Sequence, residues 1–162
     1  MDFYSAEELS QIITKSAGRL GVPLTQDAGH ELARRSRGTP RVANRMLRRA
    51  RDFAEVEGDG RITLEIAQLA LQRLGIDEEG LDGMDRRILQ TISQKFDGGP
   101  VGLESLGVAI SEDAKTIEEV YEPYLIKEGF IQRTSRGRIA LDKTYKYLNI
   151  NNPNNTQTDM FE

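Results

Sequence analysis

The arginine-rich segment 34–51 constrains the fold of this chain more than any other feature. It holds eight arginines and no acidic residue, and Gly-Thr-Pro at 38–40 interrupts it. Glycine favours the end of one helix, Thr39 can cap the next, and Pro40 fits its first turn, where a missing N–H costs nothing. The segment therefore predicts two helices joined by a tight turn. Because arginines crowded at a helix start repel one another, we expect an anion to be favoured there.

The charge of the whole chain limits where anions can bind. With 162 residues and a net charge of −4, the protein cannot coat nucleic acid over its whole surface, so anion binding must be local. Cysteine is absent, which excludes disulfides and thiolate metal sites. The sole histidine, His30, is predicted to be a solvated residue on a helix surface. No run approaches the roughly 20 apolar residues of a membrane helix, and no signal-peptide pattern is present, so we expect a cytoplasmic protein without membrane contact.

Helical periodicity predicts an all-helical domain of four helices over residues 1–76. The predicted helix caps are Ser5, Thr25, Thr39 and Thr63. Glu8 completes a capping box with the first of them. The third helix is expected to run from residue 40 to about 57. Its buried face is predicted to consist of Val42, Met46, Ala50 and Phe53. The acidic, glycine-containing segment 75–82 is typical of a linker and suggests a domain boundary.

Residues 77–148 are predicted to form a winged helix, in which a β-hairpin wing follows three helices. Segments 130–133 and 138–141 alternate with period two, and 134–137 joins them as a turn, which indicates the hairpin. Residues 101–103 are expected to form a short strand. The predicted fold class is therefore mainly α, with a four-helix domain followed by a winged-helix domain that carries a small hairpin.

The charges of this second domain favour DNA contact through the wing. The helix predicted to start at a Ser111 cap and end near residue 128 stands in the recognition position, but it is acidic and should not enter a major groove. Its acids are Glu112, Asp113, Glu118, Glu119 and Glu122. Residues 127–146, in contrast, contain six basic and two acidic residues. Contacts from such residues to phosphate position a protein without reading sequence. The simpler alternative is an ordinary solvated turn.

The sequence shows no catalytic apparatus of its own. It contains no phosphate loop of the form G-x-x-x-x-G-K-[ST], no strand that ends in paired acids for magnesium, and no nucleophile–base pair. The arginine-rich turn is therefore expected to be half of an anion site whose other half lies elsewhere. The Asn-rich segment 149–162 is predicted to be a disordered tail.

Several long motifs resemble the RuvB family, the AAA+ motors of Holliday-junction branch migration. The motifs are FY at 3–4, GTPRVANR at 38–45, LRR at 47–49, RDFA at 51–54, MDR at 84–86, FDGGPVGL at 96–103, TIEEVYEPYLI at 116–126, GFIQRT at 129–134 and RGR at 136–138. The resemblance covers residues 2 to about 148. It implies an AAA+ lid domain at 1–76 and a winged-helix domain at 77–148, without the nucleotide-binding core. We expect a fragment cut at the linker between core and lid, with Met1 added.

The resemblance also implies the roles of individual residues. Arg41 matches the arginine with which the lid senses nucleotide phosphates, Pro40 precedes it, and Tyr4 matches a nucleotide contact at the hinge between core and lid. The three residues that match DNA-backbone contacts of the wing are Arg133, Arg136 and Arg138. From the residues alone, Tyr4 is more simply an aromatic that packs on the first helix, and arginine-rich helices are often merely solvated.

The function implied by the resemblance needs more than this chain. ATP and Mg²⁺ would be held mainly by the absent core, so no catalytic residue is expected here and the chain alone should not turn over ATP. Six copies would form a ring around double-stranded DNA of a Holliday junction, with RuvA holding the junction and the RuvC resolvase as a further partner. The alternatives are a free-standing winged-helix regulator, which the acidic helix disfavours, and another AAA+ protein such as an origin-binding initiator, which the long motifs disfavour.

Overall fold

The structure is a computed structural model that describes residues 3–154. Most of the predicted disordered tail, residues 155–162, lies outside the described residues. The chain divides into two compact units, Met1–Gly83 and Met84–Glu162. The domain limits of 1–76, 77–148 and 149–162 remain predictions.

The first unit contains the four predicted helices. They are α1 (Ala6–Leu20), α2 (Gln26–Arg34), α3 (Pro40–Glu57) and α4 (Leu64–Arg73). Each predicted cap is confirmed, because its side chain accepts a hydrogen bond from the N–H group three residues on. The capping box of α1 is complete, with the Glu8 carboxylate accepting from the Ser5 N–H. The bounds of α3 are those expected from the sequence.

The buried face of α3 is displaced by about one residue from the predicted one. Met46 and Ala50 are buried as expected, but Val42 and Phe53 are only partly buried. The residues that complete the buried face are Ala43, Leu47 and Ala54. Small alanines allow the neighbouring helices to pack close to the α3 backbone, which leaves the two larger side chains at the edge of the core. The opposite face, which carries Arg41, Arg45 and Arg48, is exposed.

The second unit consists of short helical segments and one antiparallel hairpin, which confirms the mainly α fold class with a small wing. The segments are α5 (Gly83–Gln90), π1 (Thr91–Lys95), α6 (Leu103–Ile110), α7 (Ala114–Thr116), π2 (Ile117–Tyr121), α8 (Glu122–Lys127), β1 (Ile131–Thr134), β2 (Gly137–Ala140) and α9 (Asp142–Leu148). In the hairpin, Ile131 pairs with Ala140 and Thr134 pairs with Gly137, so Ser135 and Arg136 alone form the loop.

Three details of this unit differ from the sequence predictions. Ser111 does not cap a helix: it ends α6 in the left-handed region at φ 59°, and Asp113 caps α7 instead. The expected strand at 101–103 is reduced to one β-bridge between Val101 and Arg138, because α6 already starts at Leu103. The predicted recognition helix is divided into α7, π2 and α8. Proline in the first turn of α8 has no N–H for the α-helical bond to the preceding turn, so a wider turn precedes it.

Within the described residues, no helix has both the length and the apolar character that crossing a membrane requires.

Candidate functional site

The first candidate site is the N-terminal end of α3. The Thr39 hydroxyl caps the helix by accepting from the Val42 N–H at 3.3 Å, and Pro40 occupies the first turn. That turn contains no acidic residue. The end of a helix presents N–H groups and a partial positive charge, so an anion is favoured there. Arg41 adds an exposed guanidinium in the same turn.

The segment before α1 is attached to this end of α3. The main-chain N–H of Tyr4 donates to the carbonyl oxygen of Gly38 at 2.8 Å. Gly38 has a φ of 71°, and a Cβ there would lie 2.9 Å from Cδ1 of Phe3. Tyr4 is 41 % exposed. The structure thus brings the predicted nucleotide residues Tyr4, Pro40 and Arg41 to one end of one helix.

Two other arginines of the segment have a structural partner instead. Arg35 is buried, and its Nε donates to Oε1 of Glu31 at 2.7 Å, while Nη2 of Arg34 donates to the same oxygen at 2.8 Å. Burial alone would raise the pKa of Glu31, but hydrogen bonds and charge from Arg34 and Arg35 outweigh it and lower this pKa below its ordinary value. The spacing of three and four residues between Glu31 and these two arginines is a signal of such pairing that the sequence already carries.

The second candidate site is the wing. Arg136 is exposed at the hairpin tip, and Gly137 follows it with a φ of 136°. A Cβ on Gly137 would lie 2.5 Å from the carbonyl oxygen of Val101, so a glycine is required for the close approach of these two backbones. The hydroxyl of Thr134 donates to the Gly137 carbonyl at 2.7 Å and closes the loop.

The other two wing arginines contact one buried carboxylate. Glu122 has a fully buried side chain, whereas the side chains of Arg133 and Arg138 are 54 % and 13 % exposed. Nε of Arg133 donates to Oε1 of Glu122 at 2.9 Å, and its Nη2 bonds the same oxygen. Arg138 donates from Nε to Oε2 and from Nη2 to Oε1, both at 2.9 Å. The hydrogen bond to Glu122 raises the pKa of the Arg133 guanidinium.

The burial of Glu122 is a structural feature of the wing that the sequence did not reveal. Among the acids of the predicted recognition helix, the structure removes this one from the surface. No local signal identified it, because its partners lie 11 and 16 residues further along the chain. The three predicted wing residues therefore lie together on the hairpin but in different environments.

Residues 3–154 contain no group of three His, Cys, Asp or Glu side chains that could hold a metal ion. His30 lies exposed on α2, as the sequence predicted.

Comparisons with known proteins follow the same two-part organisation. The family described as the RuvB AAA lid domain matches residues 4–77, and the RuvB C-terminal winged helix domain matches residues 78–149. The Holliday junction branch migration complex subunit RuvB of Myxococcus xanthus is 56 % identical over 161 residues, which are 99 % of this chain and 47 % of that protein. Its counterpart from Salinibacter ruber is also 56 % identical over 161 residues, 99 % of this chain and 46 % of that protein.

A solved structure gives the same result for the fold. The Thermotoga maritima RuvB Holliday junction branch migration motor superposes with a TM-score of 0.90 at 45 % identity, over 94 % of this chain and 51 % of the other. The chain thus spans about half the length of the relatives it matches. The likeness supports the motor interpretation and gives no support to a free-standing regulator. The chain belongs to the RuvB family, and it carries the lid and the C-terminal winged-helix domains of that family.

Proposed function

We propose that this chain is the lid and winged-helix part of an ATP-dependent motor that drives branch migration of Holliday junctions during DNA recombination and repair. The observation that carries the proposal is the 56 % identity to a branch migration complex subunit over 161 residues. The likeness is continuous across both domains, so both parts of the proposed role rest on it.

In the lid, the residues fit the phosphate groups of ATP. The first turn of α3 has no acid, and it combines helix N–H groups with the exposed Arg41. Arg41 and Pro40 would hold the phosphate end, and Tyr4 would contact the nucleotide from the attached segment. ATP hydrolysis supplies the free energy for the cycle. The part played by this chain is to bind the phosphates and to move as a lid when they change. Mg²⁺ would be held outside this chain.

In the winged-helix domain, the wing would contact phosphate oxygens of double-stranded DNA without reading its sequence. A single small hairpin binds weakly, but a hexameric ring of copies raises the effective concentration of the remaining contacts. We propose that RuvA holds the junction, that the RuvC resolvase is a further partner, and that the assembly works in the cytoplasm.

The test is a fusion of this chain to the remaining part of the Myxococcus xanthus relative. With ATP and RuvA, the fusion should move a synthetic Holliday junction, and the chain alone should show no ATP turnover. The intact Myxococcus protein is the positive control. ATP turnover by the chain alone would contradict the assignment of the catalytic centre. A folded fusion that leaves the junction unmoved, while the control moves it, would contradict the motor role.

A further inference from the structure

The buried carboxylate of Glu122 lies between two arginines of the wing. Both of its oxygens accept from guanidinium groups, and none of its side chain is exposed. Removing a carboxylate from water costs a large free energy, which only well-placed charged and hydrogen-bonding partners offset. Glu122 lies in the first turn of α8, whereas both partners lie on the hairpin. The carboxylate therefore joins the wing to the helix in front of it.

The hairpin register explains why a carboxylate is needed at this place. Arg133 and Arg138 are directly opposite on β1 and β2. The N–H and carbonyl of Arg138 both bond Val101, at 2.7 and 3.0 Å, so its backbone groups point away from β1. The two arginines are thus a non-hydrogen-bonded pair, in which the side chains come closest. Like charges directly opposite destabilise a hairpin, and Glu122 reverses this effect.

The three wing arginines differ in their exposure and in how many of their nitrogens already bond Glu122. Arg138 is only 13 % exposed, two of its nitrogens already bond Glu122, and Oε2 of Glu118 lies 3.9 Å from its Nη2. Arg133 is 54 % exposed and so retains an outward surface. Arg136 is exposed at the tip.

We propose that Glu122 is a positioning residue for DNA binding, which holds the wing against α8 so that Arg136 and the outward side of Arg133 meet phosphate. Arg138 acts through Glu122 and does not contact DNA. This inference rests on the proposed function, in which the wing binds the DNA backbone. It assigns the three arginines two different roles, where the sequence resemblance gave them one.

The experiment measures binding of the 162-residue chain to a short duplex of arbitrary sequence by fluorescence anisotropy, over a series of salt concentrations. Glu122→Gln makes the protein more positive by one charge, so electrostatic attraction alone predicts tighter binding and a steeper salt dependence. The proposal predicts the opposite: several-fold weaker binding, and a salt slope shallower by about 1.

Glu119→Gln is the matched control. It makes the same charge change about one turn earlier, at an exposed residue of π2. It should leave binding unchanged or slightly tighter. A purely structural role of Glu122 would lower the unfolding temperature without altering the salt slope, so both variants are measured well below their unfolding temperatures.

A double-mutant cycle with Arg138→Gln tests the indirect role of Arg138. If Arg138 acts through Glu122, the loss caused by Arg138→Gln should largely disappear when Glu122→Gln is already present. Additive losses would overturn the proposal, and so would a Glu122→Gln variant that binds as tightly as Glu119→Gln. If the unaltered chain does not bind duplex DNA, the proposed function fails instead. Hydrogen exchange then decides the positioning role, and unchanged exchange of the hairpin amides in Glu122→Gln would overturn it.

Discussion

The main-chain N–H of Tyr4 donates a 2.8 Å hydrogen bond to the carbonyl oxygen of Gly38, so the segment before α1 is joined to the turn from which α3 starts. Two parts of the chain that are distant in sequence thereby meet at the end of α3 that carries Arg41. A glycine is needed at this joint for two reasons. The positive φ of Gly38 would strain the backbone of any other residue, and an added Cβ would lie 2.9 Å from the Phe3 ring.

Gly38→Ala should therefore destabilise the first unit by about 1–3 kcal/mol, through left-handed backbone strain and the contact with Phe3. Urea unfolding measures the loss. Gly18→Ala is the control, since Gly18 lies in α1 with no atom within 4 Å of the added Cβ. That change should stabilise the chain by about 0.5–1 kcal/mol. Equal stability of the two variants would contradict the account of the turn.

Glu31 should give the first unit a stability that depends on pH. Its pKa is lowered in the folded chain from an ordinary value of 4.5. The stabilisation is therefore fully present above that ordinary value and is lost as the pH falls through the lower folded value.

Glu31→Gln should accordingly cost more stability at about pH 7 than at an acidic pH below the lowered folded pKa, where the carboxylate is protonated. Urea unfolding at both pH values gives the comparison. Glu55→Gln, which changes an exposed residue of α3, serves as the charge-matched control. If Glu31→Gln cost the same stability at both pH values, the contacts of Glu31 with the two arginines would make no pH-dependent contribution to the free energy of unfolding.

Gly137→Ala should disturb the wing, because the added Cβ would lie 2.5 Å from the Val101 carbonyl oxygen at a φ of 136°. The expected results are faster hydrogen exchange in β1 and β2 and weaker DNA binding. Gly102→Ala is the control, since no atom lies within 4 Å of a Cβ at that position. Unaltered hydrogen exchange of β1 and β2 in the Gly137→Ala variant would contradict the requirement for a glycine where this backbone approaches Val101.

Arg41→Ala, made in the fusion with the Myxococcus xanthus relative, should slow ATP hydrolysis or uncouple it from branch migration. The reason is the loss of the exposed guanidinium from the acid-free first turn of α3. Arg45→Ala, one turn further on and also exposed, should have little effect. Steady-state turnover and junction movement are measured together. Normal values of both for Arg41→Ala would contradict the nucleotide-sensing role.

Features that depend on neighbouring residues were predictable from the sequence. The caps at Ser5 and Thr39 follow from a hydroxyl and the N–H group three residues on, and both are confirmed. The Ser111 prediction was wrong because two capping residues stand close together, and the left-handed turn at Ser111 leaves Asp113 to start the next helix. A local pattern does not decide between them.

Features that depend on distant residues were not predictable in this way. Glu122 is buried against Arg133 and Arg138, which lie 11 and 16 residues further along the chain and are placed opposite each other by the hairpin register. The same holds for Gly38, whose surroundings include Phe3, a residue distant in sequence near the start of the chain. For the candidate sites, the roles assigned to particular arginines from the sequence stay predictions, and the structure adds which of these arginines are already paired.

The most direct test of the central claim is the effect of Arg136→Ala on duplex binding. We expect binding to be weaker by a similar factor on unrelated sequences, and a plot of log affinity against log salt to have a slope shallower by about 1. Lys115→Ala, an equal change of charge at an exposed residue of α7, should have a smaller effect. Binding and slope that match those of Lys115→Ala, or a loss confined to one DNA sequence, would contradict a wing that holds the DNA backbone.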